Sequence, residues 1–245
     1  MKFETIIYQK SHSMVEIILN RPNRGNAINN KLAEELEISI NEAEKDNEIK
    51  VIILFGNGKG FCGGADVSEI NFDSVDEVES FLRKIHGLFN KIEKIEKPTI
   101  AAINGYALGG GCELALCFDI RIASEKAIVG VPEIKMGFLP GAGGTQRLPR
   151  LIGVNNALEM LFTGEPFDAH GAYRLGLFNK VVAHERLIDE TRKLGEILAK
   201  KSPQALKMAK KLVKNGMNMD LKSALEFEIQ GVSYLSYEAI SKKKA

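Results

Sequence analysis

Two glutamates stand in settings that surface glutamates rarely occupy. Glu113 follows Gly109-Gly110-Gly111-Cys112, a glycine run that leaves an apolar strand-like segment and opens a short apolar helix. Glycines let a ligand come close to backbone N–H groups, and a helix N-terminus adds positive potential. The run therefore has the makings of a site for a negatively charged oxygen. Glu133 sits in Val131-Pro132-Glu133-Ile134, and Pro140-Gly141-Ala142-Gly143-Gly144-Thr145 follows, a second run of open N–H groups before a helix. Alone, Glu113 reads equally well as an acid complementing a helix dipole. Two acids in apolar, glycine-bounded contexts point instead to general acid–base chemistry on one small molecule such as water.

Other patterns are weaker. Gly58-Lys59-Gly60-Phe61-Cys62-Gly63 satisfies GxGxxG after a strand, but a dinucleotide site needs a helix at once, and none is expected before about Ser74. Lys59 is followed by Gly60 rather than Ser or Thr, so the segment fails as a phosphate loop. Gly60-Phe61-Cys62-Gly63-Gly64 matches a nucleophile elbow with Cys in place of Ser. No motif around His12, His86, His170 or His184 supplies its base, and Cys62 reads as a buried structural thiol. Four His and three Cys, with no CxxC pair and no HExxH, give no expectation of a metal.

The elements that must position the two acids alternate between strand and helix. Ile6–Tyr8, Val15–Leu19, Val51–Phe55, Thr99–Ile103 and Ile120–Ala123 are β-branched or apolar runs of strand length, the third continuous enough to be covered on both faces. Between them, Asn30 is placed to cap a helix carrying Leu32, Leu36, Ile40 and Ala43. Ser74 caps one carrying Leu82, Ile85, Leu88, Phe89 and Ile92, and a short apolar helix spans Cys112 to Cys117. This rhythm implies α/β layering, with an α/β core over residues 1–195 and a C-terminal helical region over 196–245. Residues 146–214 are mostly helical in pattern, punctuated by Pro149, Gly153, Pro166, Gly176 and Pro203 and by one short strand at Lys180-Val181-Val182. A last amphipathic helix runs from Asp220 to Tyr237, and the chain closes on Lys242-Lys243-Lys244-Ala245. Leu194, Ile197, Leu198, Leu206, Met208, Leu212, Val213, Leu225, Phe227 and Ile229 offer more apolar surface than the core covers from one side, which marks an interface.

Composition bounds the partners. The 245 residues are 44% hydrophobic and 27% charged, the balance of an ordinary globular protein. A formal net charge of +1 gives no global field to draw in nucleic acid or an anionic membrane. No apolar run reaches membrane-spanning length, and the start Met1-Lys2-Phe3-Glu4 leads into no signal-peptide apolar stretch. Three cysteines are too few for a disulfide framework and fit reduced thiols in a cytoplasm.

The longer motifs resemble the enoyl-CoA hydratase/isomerase, or crotonase, superfamily. They are Leu19-Asn20-Arg21-Pro22 with Asn26-Ala27-Ile28, Phe61-Cys62-Gly63-Gly64-Ala65-Asp66, Asn104 through Leu114, and Pro132-Glu133-Ile134 with Gly137 through Leu148. The resemblance implies a crotonase-like spiral of strand–strand–helix units, with a C-terminal helical trimerisation region that builds a homotrimer or a dimer of trimers. It implies an acyl-CoA thioester whose carbonyl lies between the N–H groups of Ala65 and Gly110. Asp66, Val67 and Ser68 would line the CoA channel, Arg24 and Ala27 would approach CoA, and Gly141 would offer its N–H to a catalytic water. The family often has Lys where Ser68 stands, which leaves one CoA contact open. Family members that hydrate an enoyl thioester carry both acids, whereas its isomerases typically keep the second. With Glu113 and Glu133 both present, the expectation is reversible syn hydration of a short-chain trans-2-enoyl-CoA, or the reverse dehydration, with CoA as part of the substrate and no other cofactor. The alternatives are a Δ3,Δ2-enoyl-CoA isomerase, another acyl-CoA lyase or hydrolase of the same fold, and a non-catalytic acyl-CoA- or RNA-binding relative.

Overall fold

The apolar runs of the first half become the strands of one sheet. In the computed structural model, which describes residues 3–244 with the side chains of 242–244 excepted, β1 (Ile6–Ser11) and β2 (Met14–Leu19) form an antiparallel hairpin. Then come α1 (Asn30–Lys45), β3 (Val51–Gly56), β4 (Gly60–Cys62), α2 (Val75–Lys94), β5 (Thr99–Ile103), β6 (Tyr106–Leu108), α3 (Gly110–Leu116), β7 (Ile120–Ser124) and β8 (Ile128–Gly130). The second half holds α4 (Gly144–Ile152), α5 (Val154–Thr163), β9 (Phe167–Asp168), α6 (Ala169–Arg174), β10 (Lys180–Val182), α7 (Leu187–Ala199), α8 (Pro203–Gly216) and α9 (Leu221–Lys244).

The main sheet has the order β1-β2-β3-β5-β7-β10 and is parallel beyond the first hairpin. A second sheet, β4-β6-β8-β9, is parallel except for its last pair. Each turn of chain thus gives a strand to the first sheet, a strand to the second, and then in two cases a helix: β3-β4-α2, β5-β6-α3, β7-β8. The second sheet was not legible as strands. Its members are two or three residues long, too short for a period, and β4 lies inside the glycine-rich stretch. Gly60 is there because a Cβ would fall 2.3 Å from the Tyr106 ring of the neighbouring strand.

The main sheet is covered on both faces, as the continuous run Val51–Phe55 suggested. On one side Ile17, Leu19 and Leu54 pack with Leu32 and Leu36 of α1 and Phe89 of α2. On the other, α7 lies across β2, β3, β5 and β7, with Leu187 against Val51, Ile53, Ile100 and Ile122.

Several boundaries differ from the sequence reading. Asn29, not Asn30, caps α1: its Oδ1 accepts from Leu32 N at 2.9 Å, while Asn30 N donates to the Glu69 carboxylate at 2.9 Å. Ser74 does cap α2. The helix expected from Cys112 begins at Gly110, because Gly109 with φ 52° turns the chain directly into it. Pro149 lies inside α4 and does not end it, giving up only its own bond to the turn before. Asp220 caps the last helix, which continues past Tyr237 to Lys244. The side chains of Lys242–Lys244, together with Met1, Lys2 and Ala245, lie outside the described residues.

Helix α8 is fastened to the core by Lys210 and Lys214, 2.7 and 2.8 Å from the Asp119 carboxylate, which also accepts from Thr99 N at 3.0 Å. Beyond that anchor, Val213, Leu225 and Ile229 keep half or more of their surface exposed. No helix among the described residues is long and apolar enough to cross a membrane.

Candidate active site

Three consecutive glycines let four chain segments meet. A Cβ on Gly109 would lie 2.7 Å from Glu133 Oε1, one on Gly110 would lie 3.3 Å from the Ala65 amide nitrogen, and one on Gly111 would lie 2.1 Å from the Cys62 carbonyl oxygen. The start of α3 is thereby pressed against β4, the loop after it, and the turn carrying Glu133.

Two backbone donors converge there. Gly110 is the first residue of α3, so its N–H has no acceptor within the helix. Ala65 forms a single parallel bridge with Ile28, in which Ile28 N donates to Gly64 O and Asp66 N to Ile28 O, both at 2.8 Å. In such a bridge the flanking N–H groups carry the bonds, so that of Ala65 points away from Ile28. Ala65 and Gly110 both line an apolar cavity of about 240 Å³.

Glu113 lies in the first turn of α3 and is 2% exposed. Its Oε1 accepts from Ala142 N at 2.8 Å and from Gly144 N at 2.7 Å, at the N-terminal end of α4. A Cβ on Gly144 would come within 3.0 Å of that same oxygen. Oε2 has no hydrogen-bond partner among the described residues and is free for a ligand. Burial pushes the carboxyl up to about 7. The Glu133 carboxylate pushes the same way, while the two N–H donors and Arg147 oppose.

Glu133 sits half-buried in a 3-10 turn, Pro132–Met136. Burial raises its carboxyl above the usual range, and its Oε2 is buried without a hydrogen-bond partner among the described residues. An unpaired buried oxygen costs about 1–3 kcal/mol. Here it stands at the wall of the cavity, where a reactant can supply the partner.

The cavity is lined by Phe81, Leu82, Ile85 and Phe89 of α2 on one side and by Met136, Phe138 and Leu139 on the other. Phe72 stacks on Phe138 with centroids 5.2 Å apart. Val67, Met136 and Leu139 are more than half exposed at this lining, an apolar rim suited to an apolar ligand chain.

The expected site residues divide into two groups. Ala65, Val67, Gly110, Glu113, Glu133 and Gly141 all line the one cavity. Arg24, Ala27, Asp66 and Ser68 do not line it but lie on the two loops that border it. Arg21, which sequence reasoning passed over as a functional group, ties those loops together: it donates to the Ala27 carbonyl and pairs with Asp66 at 2.9 Å. Ser68 Oγ donates to Asp66 at 2.7 Å, and with Arg21 it holds the Asp66 carboxyl below the usual range. The N–H groups that hold Glu113 come from Ala142 and Gly144, also missed as individuals. Their signal was the glycine run before α4. Among the described residues, no group of His, Cys, Asp and Glu is arranged to hold a metal ion.

Cys62 is buried, donates from Sγ to the Asn26 carbonyl at 3.1 Å, and is pushed up to about 12 by burial. A thiol so placed is no nucleophile at neutral pH. Cys62→Ser is expected to keep its activity toward acyl-CoA, and mass spectrometry after acid quenching should find no acyl group on the wild-type chain. An acylated Cys62 would move the chemistry to acyl transfer.

Comparison with known proteins places the chain in a family. The family model for enoyl-CoA hydratase/isomerase matches residues 9–244. The chain is 40% identical to a short-chain-enoyl-CoA hydratase of Clostridium acetobutylicum and 39% identical to a crotonyl-CoA hydratase of Syntrophomonas wolfei. In each case 93% of this chain and 88% of the relative are covered. The crystal structure of an enoyl-CoA hydratase from Bacillus anthracis superposes with a TM-score of 0.91 at 36% identity, covering 98% of this chain and 97% of that one. With the match extending over almost the whole sequence and the spiral of paired strands and helices reproduced, the chain belongs to the enoyl-CoA hydratase/isomerase family.

Proposed function

We propose that the protein is an enoyl-CoA hydratase. It adds water reversibly, in the syn sense, to a short-chain trans-2-enoyl-CoA such as crotonyl-CoA to give the 3-hydroxyacyl-CoA, and by the same site it can run as a dehydratase. The observation that carries the reading is that both carboxylates and both open N–H groups line one apolar cavity. The names of the similar proteins support it.

Water is a poor nucleophile toward an alkene, and conjugation to a thioester helps only if the charge developing on the carbonyl oxygen is stabilised. The N–H groups of Ala65 and Gly110 do this, each donor worth about 3 kcal/mol in the transition state. The α3 dipole reinforces the second. Glu113, anchored through Oε1, takes the water on Oε2 and removes its proton as oxygen attacks Cβ. A carboxyl near 7 is matched to base work at neutral pH. Glu133, whose proton burial favours, delivers it to Cα. Gly141 offers its N–H to the same water. CoA runs along the loops that Arg21 ties together, past Arg24, Ala27, Asp66, Val67 and Ser68, and carboxylate chemistry of this kind needs no metal or redox cofactor. The exposed apolar residues of α8 and α9 support a homotrimer or a dimer of trimers. The three unpaired, buried cysteines support a reducing cytoplasm.

Crotonyl-CoA added to the enzyme should lose its enoyl-thioester absorbance, with 3-hydroxybutyryl-CoA appearing by mass. Conversion confined to moving the double bond of a 3-enoyl-CoA would make it an isomerase, and release of free CoA would make it a hydrolase. Light scattering at micromolar concentration should return three or six times the chain mass. A monomer would refute the assembly.

A further inference from the structure

Arg147 has no place in the chemistry above and does not line the apolar cavity. It is nevertheless only 14% exposed at its side chain, and each of its three guanidinium nitrogens donates a hydrogen bond. Its Nη2 donates to Asn90 Oδ1 at 2.7 Å and to Glu93 Oε2 at 2.9 Å, its Nε to Glu93 Oε2 at 3.1 Å, and its Nη1 to the Ala142 carbonyl at 3.1 Å. Asn90 and Glu93 belong to α2, the helix whose Leu82, Ile85 and Phe89 form one cavity wall. Ala142 belongs to the loop whose N–H groups hold Glu113. The guanidinium is thus a brace between the wall and the loop. Helical side chains lean toward the helix N-terminus, which carries Arg147 back over Gly143. There a Cβ would lie 2.0 Å from Nη1, so the glycine at 143 leaves the room the brace occupies.

We propose that Arg147 is a positioning residue for hydration: it fixes the Ala142–Gly144 donors, and through them Glu113 Oε1, in register with α2. This rests on the hydratase reading. The charged and titratable groups that face Glu113 are Arg147 on α4, Glu133 on the turn after β8, Cys112 on its own helix and Cys117 at the end of that helix. Of these only Arg147 favours the carboxylate. Losing it therefore raises the pH at which Glu113 becomes ionised.

Arg147→Met is expected to lower kcat for crotonyl-CoA hydration by about ten- to a hundredfold, a scale set by small misplacements of a reacting group. KM should stay within about twofold, and the acid limb of the kcat–pH profile should move to higher pH. Arg147→Lys restores the charge but cannot reach Asn90, Glu93 and Ala142 together. It should return the acid limb to its wild-type position and recover kcat only in part. Glu93→Gln, which keeps Arg147 and weakens its anchor, should lower kcat less than Arg147→Met. An infrared titration of the Glu113 carboxyl, taken as wild type minus Glu113→Gln, reads the same shift without turnover. Wild-type protein inert toward crotonyl-CoA would sink the hydratase reading. Active wild type with an Arg147→Met variant of unchanged pH profile and carboxyl titration would overturn the positioning role. A rise in KM at constant kcat would overturn it as well, because it would mean that Arg147 holds substrate.

Discussion

Glu113→Gln should reduce kcat for crotonyl-CoA hydration by about two to four orders of magnitude, the scale of a positioned acid–base group, and leave KM nearly unchanged. The substitution is unusually clean. Both hydrogen bonds to the carboxylate fall on Oε1, so a glutamine oxygen can keep the bonds from Ala142 and Gly144, and only the basic oxygen is lost. In the wild type, kcat should fall as pH drops below about 7, the range in which Glu113 takes up its proton. That limb should vanish from whatever activity the variant retains. Glu133→Gln should cost a similar factor by removing the proton donor, and it should keep the Glu113 limb but move it to lower pH, because the neighbouring carboxylate no longer pushes Glu113 up. Either variant holding more than about half of wild-type kcat would strip that acid of its role.

The same residue sets an opposite expectation for stability. Glu113 takes up its proton near 4.5 in the unfolded chain and near 7 in the folded one, so the folded state binds the proton more tightly. Its contribution is most favourable below the unfolded value and declines as pH rises through the folded one, by roughly 3 kcal/mol in all. Glu113→Gln removes this loss. The variant should melt several degrees above wild type at pH 8, with the difference nearly gone at pH 4.5. A dead enzyme that is also more stable is the mark of a carboxylate held charged in the interior for chemistry. Equal melting temperatures at pH 8 would mean that the site is wetter than its 2% exposure implies.

How much of this was legible depended on the length of the signal. Val51–Phe55 and Thr99–Ile103 announce buried strands because five consecutive apolar side chains need cover on both faces. Glu113 and Glu133 announce themselves because glycine and proline neighbours make no sense around a solvated acid. Strands β4, β6 and β8 are silent, since three residues carry no period and their pairing is set by the turn of the spiral above and below. Arg147 is silent for another reason. Its partners lie 54 and 57 positions away in sequence, at Glu93 and Asn90, and an arginine one turn into a helix looks like any solvated cation until the fold closes around it. The cap of α1 is silent in the sequence for the same reason. Either asparagine can cap α1, and the choice falls to Asn29 because Glu69 arrives from a distant loop to bind the N–H of Asn30.

Gly111→Ala and Gly87→Ala should move the protein in opposite directions, and the contrast tests whether the glycine run is a packing requirement. Gly111 lies in α3 with ordinary helical geometry, where alanine is intrinsically favoured by about 0.5–1 kcal/mol. Its new Cβ, however, would lie 2.1 Å from the Cys62 carbonyl oxygen and 2.7 Å from the carbonyl carbon. These are backbone atoms of β4, so no rotamer relieves the contact and the helix itself must move. Overpacking of this kind typically costs 1–3 kcal/mol, and a backbone clash belongs at or above the upper end. For a chain of this length about 3 kcal/mol lowers Tm by roughly 6–12 °C. Helix α3 also carries the Gly110 N–H and Glu113, so a shift of about 1 Å should lower kcat a hundredfold beyond any loss of folded protein. Gly87 is exposed on α2 with nothing within 4 Å of a Cβ, and alanine there should raise Tm slightly and leave kcat alone. Thermal melts and crotonyl-CoA turnover on the two variants decide it. Wild-type Tm and kcat in Gly111→Ala would mean that α3 slides freely along β4, and the close approach of helix to strand would then not be what holds the oxyanion donors in place.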